Sequence, residues 1–496
     1  MSATATRVVI VGRDAALWLT AAAVRRALAP VGVTVTAIEL PSALGAASAY
    51  VSLPPLEALH AKLGLDETTL LRATGGSFSL GHNVVAPASG PAPFFLAHGS
   101  YGAPIDGNSF FPYWVKARHF GLGAALEDFC LTAMAARQGR MLLPDEATES
   151  FGRTDYGYHL PAIPYVATLK THAARLGVTM RTAHAVTIDR DAQSGAIRAV
   201  RPDDGDAVPG DLFVDASGAA AVLAAPEARR EEKSGVTDRL LIARAAPVAS
   251  VPAYTELRIG PSGWLSLQAS PAATHIVFAH ASRDHDADTA LAAAQTLSGF
   301  RLDDAFVTPV APGRCERPWT GNCLAIGAAA RAFDPLFDLE LHAVQLGIVH
   351  LLALFPAGTV SDAERDEYNR LTGSAFDRLA DLPAAFHALN RFGDAGFWAR
   401  SRAATPPAAV AHKIATYRVR GDIAPMEDET FAPDFWQAML VGLGEMPESW
   451  PPAIDRTAPE RMKDEFRRIL GFIKDKVLEQ PTHQAYLARL SRSEAA

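Results

Sequence analysis

Apolar runs and polar breaks alternate in the first forty residues in a way that sets the fold class. Val8, Val9, Ile10 and Val11 form an unbroken β-branched run ending at Gly12, the pattern of a strand buried on both faces. Ala15–Leu28 is rich in Ala and Leu and reads as a helix, and Val33–Ile38 returns to a strand that ends in Glu39. Strand, turn, helix and strand in that order predict a βαβ unit and therefore a parallel sheet. Leu212–Asp215 and Cys323–Ile326 repeat the buried-strand signature, leading into Gly218 and Gly327, and a helix is predicted over Leu341–Phe355. Ala185–Val200 is polar and alternating and suits an antiparallel meander. From Asp362 onward the chain reads mainly as helix, broken by Pro and Gly at Ala404–Pro407 and Met446–Pro452. The Pro-rich Ala86–Pro93 is a surface loop, and no internal repeat is present.

Composition narrows the functional classes. A chain of 496 residues that is 49% hydrophobic can bury more than one simple domain. Its formal net charge of -8 gives no electrostatic reason to seek nucleic acid or an anionic membrane. The short basic pairs Arg229-Arg230 and Arg467-Arg468 are flanked by acids and read as solvated faces. Apolar runs such as Val8–Gly12 and Leu351–Phe355 fall far short of the ~20 residues that span a bilayer. No signal-peptide pattern precedes the first strand, so a cytoplasmic location is expected. Cys130, Cys315 and Cys323 are too few and too far apart for a disulfide framework or a zinc site, and are expected as small buried thiols.

The turn after the first strand is where a dinucleotide fold cradles phosphate. That turn needs three glycines: one for the tight bend, one for close approach to the diphosphate, one for helix packing. Here it reads Gly12-Arg13-Asp14-Ala15-Ala16-Leu17, and only Gly12 fits. The Asp14 carboxylate is expected to intrude on the diphosphate space with like charge, and Leu17 to push the helix outward. Two readings stay open. The βαβ unit has lost its dinucleotide, or Arg13 offsets the loss by offering a guanidinium to phosphate. Glu39 stands where such folds place the ribose-binding acid.

Larger blocks of sequence carry a resemblance. Val9–Trp18 followed by Glu39, Pro54-Pro55-Leu56, Phe78-x-Leu-Gly81, Tyr158-His159, Val214–Gly218 and Gly263-Trp264 come first. Asn322–Gly327 with Asp334-Pro335-Leu336 and His342 is the densest block, and Phe397-Trp398, Trp436, Pro481-Thr482-His483 and Tyr486–Arg489 complete it. In this order the blocks resemble the flavin-dependent tryptophan halogenases. The resemblance implies an α/β fold: a Rossmann-like FAD-binding box with an antiparallel sheet, expected over 1–355, and a helical pyramid packed on it over 356–496. It implies FAD contacts at Gly12, Arg13, Ala16, Glu39, Asp215, Gly218 and Gly327. It also implies a separate flavin reductase, an indole-like or other aromatic small molecule as substrate, and no metal. In that family a lysine, helped by a glutamate, delivers halogen from hypohalous acid to the ring.

This chain departs from the family at the positions that do that chemistry. The lysine position is Ser79, whose neutral hydroxyl cannot replace an ammonium. His82 is a poor stand-in, because on a continuous strand the two side chains would point to opposite faces. The glutamate position is Phe337, and Asp338, Leu339 and Glu340 replace the small residues of the halide turn, crowding and repelling an anion. The flavin strap aligns with Ala49-Tyr50-Val51-Ser52, and of the Trp-x-Trp-x-Ile-Pro tunnel signature only Trp264 remains. His98, Tyr113 and Trp436 are candidates for the substrate side, since flat aromatic ligands favour stacking. Two functions follow as expectations. One is an enzyme of the flavin-dependent halogenase and monooxygenase class acting on an aromatic molecule, with altered oxidation favoured over halogenation; the other is a non-catalytic homologue serving as a binding or subunit partner, as a homodimer or with an active paralogue. The absence of a second nucleotide fingerprint argues against a nicotinamide-dependent dehydrogenase.

Overall fold

The computed structural model describes residues 6–87, 90–143, 154–223, 229–232, 236–356, 358 and 360–492. The chain folds into two compact units that alternate along the sequence: Met1–Thr74 with Leu160–Gly235 and Val310–Ala380, and Gly75–His159 with Val236–Pro309 and Asp381–Ala496.

The first unit is built on the βαβ start. Strand β1 (Arg7–Gly12), helix α1 (Asp14–Leu28) and strand β2 (Thr34–Glu39) form as the apolar pattern requires. β1 lies parallel to β2 and to Leu212–Ala216, with Gly12 opposite both Glu39 and Ala216. Cys323–Ala325 and Thr179–Thr182 extend the sheet in parallel on either side, and Trp319-Thr320 closes one edge antiparallel. Val9, Val11, Ile38 and Phe213 are buried on one face of the sheet, where Val200 and Leu223 join them. Each such side chain contributes about 1.5–3 kcal/mol. The expected meander is present as Val186–Arg190, Ile197–Pro202 and Val208-Pro209. Helix α1 is held at its far end by Arg25, whose guanidinium donates to Leu176 O (3.0 Å) and Val33 O (2.9 Å). The helix predicted to open at Leu341 begins one residue earlier, as Glu340–Ala353.

The second unit carries a seven-stranded sheet in the order Asp303–Pro309, Arg239–Ala245, Thr274–His280, Gly263–Ala269, Thr255–Gly260, Gly81–Val85 and Phe94–Ala97. Its helices include Phe110–His119, Ala408–Arg420, Pro433–Gly442 and Pro459–Glu479. The last is amphipathic, burying Phe466, Ile469, Ile473 and Val477 at helical spacing. Trp398 joins helix to sheet by donating Nε1–H to Gly260 O at 2.7 Å. Cys130, Cys315 and Cys323 are buried free thiols, as their spacing predicts. Among the described residues no helix is long and apolar enough to cross a membrane.

Candidate functional site

Gly12 closes the nucleotide-type turn because nothing larger fits. A Cβ there would stand 2.5 Å from Ala216 O. Arg13 N donates to that same oxygen (3.2 Å), and Leu40 N donates to Gly12 O (2.8 Å), so the bend is fixed from both neighbouring strands. Asp14 and Leu17 are both accommodated within the chain. Asp14 takes the left-handed conformation (φ 57°) that a glycine would favour. Its carboxylate is turned aside, accepting from Ser42 Oγ (2.6 Å) and Ala43 N (3.3 Å). Leu17 is fully buried, and α1 still packs on β1 and β2. The short polar reach of Asp14 and the apolar surroundings of Leu17 absorb both substitutions.

Arg13 sits at the tip of β1 with its Nε buried and without a hydrogen-bond partner among the described residues. An orphaned guanidinium nitrogen at the mouth of a dinucleotide turn suits a phosphate oxygen. Gly327 faces the same helix: its φ is 62°, and a Cβ would meet Val344 Cγ2 at 2.8 Å and Ala16 Cβ at 3.8 Å. Two other predicted contacts are engaged within the chain. Glu39 pairs with Lys170 at 2.5 Å, and that ammonium also lies over the Trp18 ring at 5.4 Å. The buried Asp215 carboxylate accepts from Ser217 Oγ (2.5 Å), Ser217 N (3.0 Å) and Leu223 N (2.6 Å), and so ties down the loop that contains Gly218. Gly218 takes φ 76° there.

In the same unit, Phe337 (φ 70°) and Asp338 (φ 55°) are consecutive left-handed residues. A bulky aromatic in that region is strained, by about 1–3 kcal/mol. Burial of Phe337 holds it, together with the Asp334 carboxylate accepting from Leu336 N at 3.0 Å. Solvent reaches the Glu340 side chain, yet its carboxyl is raised above the usual range by desolvation and by the charges of Asp14 and Asp338.

In the second unit Ser79 is fully buried and donates its hydroxyl to Gly81 O at 3.2 Å. Ser79 and His82 do not share a strand, contrary to expectation. Ser77–Ser79 pairs with Gly157–His159, whereas Gly81–Val85 belongs to the seven-stranded sheet. Gly81, at φ 148°, lets the chain change sheets; a Cβ there would stand 2.1 Å from Leu96 O. The His82 ring lies edge-on to His98 at 5.8 Å. His98 in turn lies nearly parallel to Phe435, at an angle of 11° with ring centres 6.5 Å apart. Its buried Nε2 has no hydrogen-bond partner among the described residues. Desolvation, aided by His82, lowers its pKa to about 3, so the ring is neutral at pH 7.

Tyr113, proposed for the substrate side, is fully buried, and its hydroxyl is already shared among Ile105 O (3.2 Å), Thr457 Oγ1 (3.0 Å) and Asn108 Nδ2 (3.4 Å). Trp436 is fully buried too. Its ring lies 4.0 Å beneath the Lys413 ammonium, which is itself fully buried and paired with Glu429. Sequence reasoning missed Lys413, Glu429 and Lys170, because long-range charge pairing leaves no local periodic signal.

Solved structures share this architecture. BrvH, a flavin-dependent halogenase from Brevundimonas sp. BAL3, superposes with a TM-score of 0.91 at 27% identity, covering 98% of this chain and 99% of its own. Xcc4156, a flavin-dependent halogenase from Xanthomonas campestris, gives 0.90 at 25% identity, covering 98% of each chain. The fold is thus the mixed α/β class of flavin-dependent halogenases. The tryptophan halogenase family model matches residues 7–459, and the chain belongs to that family. Tryptophan 6-halogenase ThaL of Streptomyces albogriseolus is 25% identical over 488 residues, spanning 90% of this chain and 91% of its own length.

Proposed function

We propose that this member of the tryptophan halogenase family binds FAD and oxidises a flat aromatic small molecule without transferring halogen. The observation that carries the reading is the contrast between the two sites. The β1–α1 turn keeps its shape and offers the orphaned Arg13 nitrogen, whereas the lysine position holds a buried, neutral Ser79 whose proton is already committed to Gly81 O.

FAD, reduced by a separate reductase, supplies oxygen-activating chemistry when bound. Gly12, Ala16 and Gly327 keep the backbone close to it, Arg13 binds its diphosphate, and Glu39 with Lys170 meets a ribose. Asp215 acts through Gly218 by holding that loop in place. On the substrate side, the neutral His98, stacked on Phe435, takes a hydrogen bond at its Nε2 from a ring N–H or O–H, whereas Trp436 is already covered by Lys413. The acids at 338 and 340 keep halide out. The reaction belongs in the cytoplasm, beside the reductase.

The experiment is a flavin titration followed by turnover. The purified protein is titrated with FAD, then supplied with a reductase, indole and bromide, and the products are weighed by mass spectrometry. Quenched flavin fluorescence with oxygenated, unbrominated product is the expected result. Absence of quenching would overturn it and select the second reading, a non-catalytic subunit partnering itself or an active paralogue. That reading is favoured by Glu39 and Asp215 being already engaged by the chain's own groups.

A further inference from the structure

A buried tyrosine–histidine pair lies in the first unit, apart from every residue assigned above. Tyr165 is fully buried on the helix Ala162–Arg175, and His60 is buried on Pro55–Leu63. The Tyr165 hydroxyl and His60 Nε2 are 2.8 Å apart. Their rings meet edge-on with centres 5.8 Å apart. Tyr50 also meets Tyr165 edge-on, at 5.9 Å. The Tyr50 hydroxyl accepts from Ala15 N at 3.5 Å, so the chain of rings begins at the first turn of α1, beside the nucleotide-type turn.

Simple packing does not require this arrangement, since a phenylalanine at 165 would fill the same volume without a buried hydroxyl to satisfy. What the pair offers is a phenol whose proton has a destination. Burial lowers the His60 pKa to about 4, so the imidazole is neutral at pH 7. In the tautomer with hydrogen on Nδ1, Nε2 accepts from the phenol. Burial also raises the Tyr165 phenol, so proton loss without oxidation is disfavoured. Asp14 and Glu340 raise the Tyr50 phenol beyond the effect of its own burial.

We infer that Tyr50, Tyr165 and His60 form a redox relay that carries one oxidising equivalent away from the turn at Ala15. One electron leaves Tyr165 through Tyr50 to a one-electron oxidant. At the same time the Tyr165 O–H bond breaks and its proton forms an N–H bond at His60 Nε2. The products are a neutral tyrosyl radical, an imidazolium and the reduced oxidant; return of one electron and the proton restores the pair. The physiological oxidant, an oxygen-derived species formed at a reduced flavin, rests on the reading above, but the relay itself does not.

The test therefore uses no flavin. A photogenerated ruthenium(III) polypyridyl complex oxidises the full chain, and freeze-quench electron paramagnetic resonance reads the tyrosyl radical. The wild type is expected to give a tyrosyl signal that Tyr165→Phe removes and that Tyr158→Phe, a buried tyrosine of the other unit, leaves unchanged. Formation in the wild type should slow in deuterated water, and His60→Gln should slow it further or abolish it. An undiminished signal in Tyr165→Phe overturns the relay, as does a wild-type rate indifferent to deuterium. Should His60→Gln fail to fold, Tyr165→Phe, which removes a single oxygen, decides alone. Failure here leaves FAD binding untouched, and failure to bind FAD leaves this radical unaffected.

Discussion

The Lys413 ammonium rests 4.0 Å above the centre of the Trp436 ring, and both side chains are fully buried. Glu429 neutralises the charge from one side, and its other oxygen accepts from Phe431 N at 3.2 Å. A buried cation is tolerated only when paired, and here the indole face adds a second stabilising partner. Lys413→Met should therefore cost about 3–5 kcal/mol, because it leaves Glu429 without its counter-ion. Adding Glu429→Gln should recover part of that loss. Urea unfolding of the single and double variants measures the coupling, and simple additivity would show that the pair is not coupled.

Arg13 offers a more local prediction. A charge-assisted hydrogen bond to phosphate contributes about 1.5–3 kcal/mol, so Arg13→Ala should weaken FAD binding about tenfold or more. Riboflavin, which lacks the diphosphate, should bind the variant and the wild type alike. Fluorescence titration with both ligands separates the cases. Equal loss for both would mean that the substitution disturbs the turn and not a phosphate contact.

The sequence made much of the first unit legible for a physical reason. A strand buried on both faces, a helix and a parallel strand leave strong periodic marks, and Val8–Val11, Ala15–Leu28 and Val33–Ile38 carry them. Side-chain direction at the turn was not legible. Asp14 has the charge to repel a diphosphate, but Ser42 and the Ala43 N–H, 28 and 29 residues on, turn its carboxylate aside. Ser79 and His82 could not be placed from periodicity, since the strand breaks at Leu80 and the chain changes sheets at Gly81. The relation of Lys413 to Trp436 joins two helices, and no spacing rule connects them.

Several histidines link stability to pH. Burial lowers His98 and His159 to about 3, and His60, His342 and His483 to about 4, against about 6.5 in an unfolded chain. Between those values the unfolded state binds protons that the native state does not, so stability rises with pH across the window and is lost as pH falls through it. Each histidine adds a slope of at most about 1.4 kcal/mol per pH unit. Unfolding free energy should thus drop steeply from pH 6.5 to pH 5, and His98→Asn should flatten the drop. An identical pH slope in that variant would mean that His98 titrates normally in the folded protein.

Placing a lysine at 79 tests the proposal that this chain does not transfer halogen. Ser79 is fully buried and its hydroxyl is satisfied by Gly81 O, so Ser79→Lys must bury an ammonium or displace the strand. The single variant should lose stability, since a buried unpaired charge is costly. It should also fail to brominate indole if, as proposed, Phe337 takes the place of the family's glutamate and the nearby acids Asp338 and Glu340 disfavour a halide. Reductase, bromide and indole are supplied to wild type and variant, and the products are read for the paired bromine isotope masses. Brominated indole from Ser79→Lys alone would show that the acids do not exclude halide and that the lysine was the only missing part.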